Sequence, residues 1–121
     1  MRVLVIDDSR AMRMILKGIL AELGHEVAEA ANGQEGLDKV NQCGPFGLAL
    51  VDWNMPVLNG FEFVQRVRTQ RGNDGMKLVM VTTEVETSQV CKALEAGANE
   101  YVMKPFTRDI LREKIQMMEA A

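Results

Sequence analysis

Short aliphatic runs alternate along this chain with longer stretches in which apolar residues recur every three or four positions. Residues 3–6 are wholly aliphatic and end abruptly at Asp7-Asp8, the pattern of a strand buried on both faces. Across residues 9–23, Met12, Ile15, Leu16, Ile19, Leu20 and Leu23 fall on one helical face, with Ser9 or Asp8 to cap the start and Gly24 to stop it. Glu26–Ala30 reads as a second strand, and a helix over Gly33–Cys43 is broken by Gly44-Pro45. Leu48–Val51 is a third buried strand ending in Asp52, followed by turn residues over 54–60. Helical spacing resumes over 61–71 through Phe61, Val64 and Val67. A fourth strand over 77–81 ends in Thr82-Thr83, and a helix over 86–96 is closed by Gly97. Glu100–Met103 is a short fifth strand ending in Lys104-Pro105, and Thr107 caps a last helix.

Five alternations of strand and helix predict an α/β fold, a doubly wound parallel sheet with five helices on two faces. The 121 residues fit one domain over 1–121, and a pattern that ends on its fifth helix carries the expectation of no output domain. A formal net charge of -3 argues against nucleic acid as a partner, because neutralising phosphates needs a basic surface. No run approaches membrane-spanning length, and no export signal precedes the first strand, so no membrane partner and a cytoplasmic location are expected. Cys43 and Cys91 form no C-x-x-C pair and read as small buried thiols. The nine methionines read as core filler, His25 as a surface or turn residue, and Arg108, Asp109, Arg112, Glu113 and Lys114 as a solvated helix face.

Chemistry gathers at one kind of place. Asp7 and Asp8 follow the first strand, Asp52 the third, Thr82 the fourth and Lys104 the fifth. In a parallel sheet those ends share one edge, where open α/β sheets bind ligands. Three crowded carboxylates repel each other unless a cation joins them. An all-oxygen site open to water suits Mg²⁺, or Mn²⁺ as its substitute. With a lysine and a hydroxyl beside them, one carboxylate can act as nucleophile and form an acyl phosphate. Taken singly, each residue has a plainer reading. Asp7-Asp8 suits a helix start, Thr82 a strand, Lys104 a surface and Tyr101 edge-strand packing.

Together, Ile6-Asp7-Asp8-Ser9, Asp52-Trp53-Asn54-Met55-Pro56, Asn59-Gly60, Thr82-Thr83 and Lys104-Pro105-Phe106 resemble the receiver domain of bacterial two-component response regulators over the whole length. The resemblance implies the flavodoxin-like strand order 2-1-3-4-5. It implies Asp52 as phosphoacceptor, and Asp8, Asp52 and the Asn54 backbone carbonyl as direct metal ligands, with Asp7 holding metal-bound water. Lys104 would pair with Asp52 and then with a phosphoryl oxygen, and Thr82 would move toward another. Tyr101 matches an aromatic switch that turns inward with the threonine, and Lys104-Pro105 is expected to be cis. Asn54 and Glu84 match the chemotaxis, CheY-type single-domain members, in which these positions flank the path of the hydrolytic water. Thr83 departs from the small residue usual there and bears on access to the site.

The implied function is a phosphoryl-accepting signalling switch. A histidine kinase donates to Asp52, and the domain catalyses that transfer and the later hydrolysis without turning over an external substrate. The downstream target would bind the surface of the fourth helix, fifth strand and fifth helix; in chemotaxis members it is the flagellar motor switch. A phosphatase is a further candidate partner, and a monomer is expected. A phosphorelay intermediate or a degenerate receiver that binds without phosphorylation are the alternatives. An aspartate-nucleophile phosphatase would need a second acid where Asn54 stands, and a flavodoxin-like cofactor site would be repelled by Asp7-Asp8.

Overall fold

The computed structural model describes residues 1–70, 72, 73, 75–83 and 87–120. Its elements follow one another as β1 (Arg2–Ile6), α1 (Arg10–Glu22), β2 (Glu26–Ala30), α2 (Gly33–Cys43), β3 (Leu48–Val51), α3 (Gly60–Thr69), β4 (Lys77–Thr82), α4 (Thr87–Ala96), β5 (Glu100–Met103) and α5 (Arg108–Ala120). All pairings are parallel, in the order β2-β1-β3-β4-β5. The expected architecture is therefore the observed one.

Two-residue alternation along the strands divides the core into two layers. Leu4, Ile6, Ala49, Val51, Leu78 and Met80 face α2, α3 and α4 through Leu37, Val40, Phe63, Val64, Val67 and Ala93. Val3, Val5, Leu48, Leu50, Val79 and Val81 face α1 and α5 through Leu16, Ile19, Leu20, Leu111 and Ile115. Because both faces are covered, the central strands can be aliphatic throughout.

Helix starts are set by local hydrogen bonds. Ser9 accepts from the Met12 N–H, and Asn32 from the Glu35 N–H. Asn59 and Glu62 form a reciprocal capping box at α3. The Thr107 hydroxyl accepts from the Ile110 N–H at 3.1 Å, as expected for α5. Gly24 follows α1 with a φ of 85°, a left-handed value that an L side chain resists.

Several expectations shift. β1 and β4 each gain one residue, Arg2 and Thr82, because neighbouring strands extend their ladders that far. α3 starts at Gly60, immediately after its cap, and ends at Thr69; Arg71 and Glu86, the expected limits of α3 and α4, lie outside the described residues. Both cysteines are exposed rather than buried, since helical spacing left them on outer faces. Of the methionines, Met76 and Met80 are buried, whereas Met1, Met14, Met103 and Met117 stand in solvent. The His25 side chain is largely enclosed and meets Glu119, so it is not a free surface ring. Nor is the charged face of α5 simply solvated: Arg108 and Arg112 reach Glu22, and Lys114 reaches Glu100 at 3.2 Å. Among the described residues, no helix is long and apolar enough to cross a membrane.

Gly60 couples the fold to the acidic edge. A Cβ there would sit 2.1 Å from the Asp52 carbonyl oxygen, a backbone atom that cannot swing away. Gly60→Ala is expected to cost about 2 kcal/mol or more in urea unfolding. A loss within experimental error would show that the Asp52 strand end yields easily.

Candidate functional site

The doubly wound order reverses between β1 and β3, and the crevice at their C-terminal ends holds the acidic residues. Pairing of Ile6 with Val51 puts the following residues, Asp7 and Asp52, side by side. Backbone bonds carry the ladders one step further. The Asp7 N–H donates to the Ala30 carbonyl at 3.1 Å, Asp52 to Ile6 at 3.0 Å, and Lys104 to Thr82 at 2.8 Å. The chemistry thus begins on backbone that is still sheet-like and pinned.

Asp7, Asp52 and Thr82 are buried, whereas Asp8 is exposed. Asp7 accepts the Ser9 N–H on Oδ1 at 2.9 Å and the Lys104 ammonium on Oδ2 at 2.7 Å. The same ammonium lies 3.6 Å from Asp52 Oδ1, which also accepts the Trp53 N–H at 2.9 Å. Lys104 was expected to pair with Asp52; it sits between the two acids, closer to Asp7. The more buried carboxylate takes the shorter bond because it has less water to fall back on. The Lys104-Pro105 bond is cis, as the resemblance implied, and Gly44-Pro45 is a second cis bond that it did not imply.

One carboxylate oxygen from each of Asp7, Asp8 and Asp52 lies within 4.8 Å of the others. Three acids thus crowd together while the Lys104 ammonium reaches two of them, an arrangement short of positive charge. The donors are all oxygen, and Asp8 opens the cluster to water. That combination fits Mg²⁺, which keeps several waters and asks for few protein ligands.

Burial pushes the Asp52 carboxyl up to about 6. Lys104 pulls it back, Asp7 and Asp8 push it further up, and the Trp53 N–H pulls it down. On the outer rim, Arg13 and Lys17 hold the Glu29 carboxyl below its ordinary value; the Lys17 hydrogen bond is the largest cause.

The loop after Asp52 closes through the Gly60 N–H, which donates to the Trp53 carbonyl at 2.9 Å. Trp53 is half-buried and stacks on Phe61 with ring centroids 5.5 Å apart. Asn54 is exposed in this loop, and Thr83 is exposed after β4. Tyr101 is half-buried against the α2–α3–α4 layer. Glu84 lies outside the described residues. The sequence reading missed Arg13, whose guanidinium donates to the Asp7 carbonyl at 2.6 Å and to Glu29 at 3.2 Å, tying α1 to the acidic edge. An arginine on the first turns of a helix that follows two acids was the available signal.

The family model for the response regulator receiver domain matches residues 3–116. A chemotaxis protein CheY homolog of Campylobacter jejuni is 44% identical over 117 residues, covering 96% of this chain and 90% of that one. The chemotaxis protein CheY1 of Helicobacter pylori is 40% identical over 119 residues, covering 98% and 96%. Among solved structures, the chemotaxis response regulator CheY4 of Vibrio cholerae superposes with a TM-score of 0.90 at 35% identity, covering 97% of each chain.

Two predictions follow from the geometry of the cluster and its loop. A raised carboxyl binds its proton more tightly in the folded chain than in the unfolded one. The folded state therefore holds the extra proton between pH 3.8 and about 6, and stability falls as pH rises through that window. In EDTA, Asp52→Asn is expected to add about 2 kcal/mol near pH 8 and almost nothing near pH 4, read by urea unfolding. An equal gain at both would remove the electrostatic cause. Val57 is a β-branched, exposed residue at φ 69°, a strained left-handed value. Val57→Asn is expected to stabilise the protein by about 1 kcal/mol, raising the thermal midpoint by several degrees.

Proposed function

Because the chain belongs to the response regulator receiver family and has that family's phosphoacceptor signalling role, we propose that Asp52 takes the phosphoryl group from the phosphohistidine of a partner kinase. The observation that carries this reading is the placing of Asp52. It is a buried carboxylate at the sheet's switch point, with an ammonium and two further acids beside it.

Asp52 Oδ1 is engaged by the Trp53 N–H, which orients the carboxylate. The other oxygen attacks phosphorus in line with the leaving imidazole. The P–N bond of a phosphohistidine protonated on its other ring nitrogen breaks as the new P–O bond forms, giving an acyl phosphate and a neutral histidine that keeps that proton. Asp7, Asp8, Asp52 and the Asn54 backbone carbonyl would hold Mg²⁺, whose charge offsets the gathering of anions as the phosphoryl group arrives. Lys104 is within reach of both buried acids, so its ammonium can leave Asp7 for a phosphoryl oxygen with little travel. The Thr82 hydroxyl, one strand away, donates to a second oxygen.

The added phosphoryl brings roughly one to two negative charges into a site already short of positive ones. That gives Thr82 and Lys104, at the ends of β4 and β5, a reason to move. Tyr101 on β5 moves with them, and the face of α4, β5 and α5 changes its affinity for a downstream protein. The chemotaxis names of the relatives support a target in that pathway; our reading takes that target to be the flagellar motor switch and the site of action to be the cytoplasm.

Intact mass after incubation with acetyl phosphate tests the reading. Wild type is expected to gain one phosphoryl group with Mg²⁺ and none in EDTA, and Asp52→Asn none in either. No gain by the wild type would leave a receiver that binds partners without phosphorylation.

A further inference from the structure

Sheet hydrogen bonding carries β1 as far as the Asp7 N–H, which donates to the Ala30 carbonyl, while the Ile6 carbonyl takes the Asp52 N–H. The next backbone group along the chain, the Asp7 carbonyl, is held by a side chain instead. It accepts from Arg13 Nη1 at 2.6 Å, from the first turn of α1. Arg13 is half-buried, and its Nε donates to Glu29 Oε1 on β2 at 3.2 Å. The other Glu29 oxygen accepts from Lys17 Nζ at 2.9 Å. One guanidinium thus spans the exit of β1 and the neighbouring strand.

That bond bears on Asp8. A peptide unit is planar, so fixing the Asp7 carbonyl also fixes the nitrogen from which Asp8 departs. Asp7 is then held at its N–H, at its carbonyl and, through Oδ1, by the Ser9 N–H. Asp8 is the exposed member of the acid cluster, so its direction depends on the backbone beneath it rather than on packing around it.

The charge of this rim works the other way. Arg13 and Lys17 bring two positive charges and Glu29 one negative, a balance that repels an incoming cation. A guanidinium bonded to the backbone of a cation site opposes the ion by its charge and helps it by its geometry. The two effects differ in sign, which makes them separable.

We propose that Arg13 is a positioning residue for Mg²⁺, clamping the Asp7 carbonyl so that Asp8 presents its carboxylate beside those of Asp7 and Asp52. The inference rests on the proposed reading of these acids as a Mg²⁺ site and adds what holds their main chain. Glu29 fixes the other side of the guanidinium, so the clamp is anchored on β2.

Mg²⁺ would be titrated into the full chain without a phosphodonor, and the dissociation constant read from amide ¹H–¹⁵N shifts. Arg13→Met and Arg13→Gln both lose the clamp together with its charge. Each is expected to bind Mg²⁺ about tenfold more weakly, the scale on which groups that orient metal ligands act. Lys17→Met removes the same charge from the same carboxylate without touching Asp7, and is expected to bind as tightly as wild type or more so. In EDTA, the amide spectra of the Arg13 variants are expected to match wild type away from the junction of β1 and α1. Wild-type or tighter affinity in both Arg13 variants overturns the proposal. An equal weakening in Lys17→Met does the same, because the clamp is intact there. Unfolded spectra from both Arg13 variants in EDTA would make the residue structural and overturn it too. A wild type that binds no Mg²⁺ overturns the metal reading of the acids, and this proposal with it. Phosphoryl gain on Asp52 is read separately by mass, so a failure of Arg13 leaves that reading standing.

Discussion

The confinement of three carboxylates, two of them against one ammonium, is the constraint on which the rest of this structure turns. Asp7 and Asp52 are forced together by the pairing of β1 with β3, and Lys104 reaches them from β5, two strands away from β3. The hydrophobic layers on both faces hold those strand ends in place, although the charges they bring together repel. Folding free energy gained in the core is thus committed to a local electrostatic conflict. Such a conflict makes the site responsive, since any cation or phosphoryl group changes a balance that is already poor.

Much of this was legible because parallel sheets impose simple bookkeeping. Aliphatic runs at residues 3–6, 48–51 and 77–81 could hardly be anything but strands buried on both faces, and whatever followed them had to share an edge. Asp7, Asp8, Asp52, Thr82 and Lys104 were located by that argument before any geometry was known. The pairing of Lys104 with Asp52 is present, but its shorter bond to Asp7 was not legible, because choosing between carboxylates a few ångströms apart depends on which one water still reaches. The cysteines failed for a related reason. Helical spacing shows that a face exists, but a residue at its margin, such as Cys43 at the end of α2 or Cys91 on α4, can fall to either side.

Arg13 and Gln89 illustrate a further limit. Neither stands at a strand end; Arg13 lies on α1 and Gln89 on α4. One bonds the carbonyl of a site residue, and the other has a buried amide oxygen. Patterns of apolar residues identify what is buried by hydrophobicity. They are silent on polar groups buried by the approach of a neighbouring element, here β1 and its loop for Arg13.

The strand order has a mechanical side. β1 and β3 are each held by two neighbours, whereas β5 is held by one. The anionic half of the cleft is therefore mounted on interior strands, and the cationic half on an edge strand. The arrangement is that of a vice, with a fixed jaw carrying Asp7 and Asp52 and a sliding jaw carrying Lys104 and, three residues earlier, Tyr101. Whatever is gripped between the jaws has its size reported on the outer side of β5, the edge on which the sliding jaw is mounted.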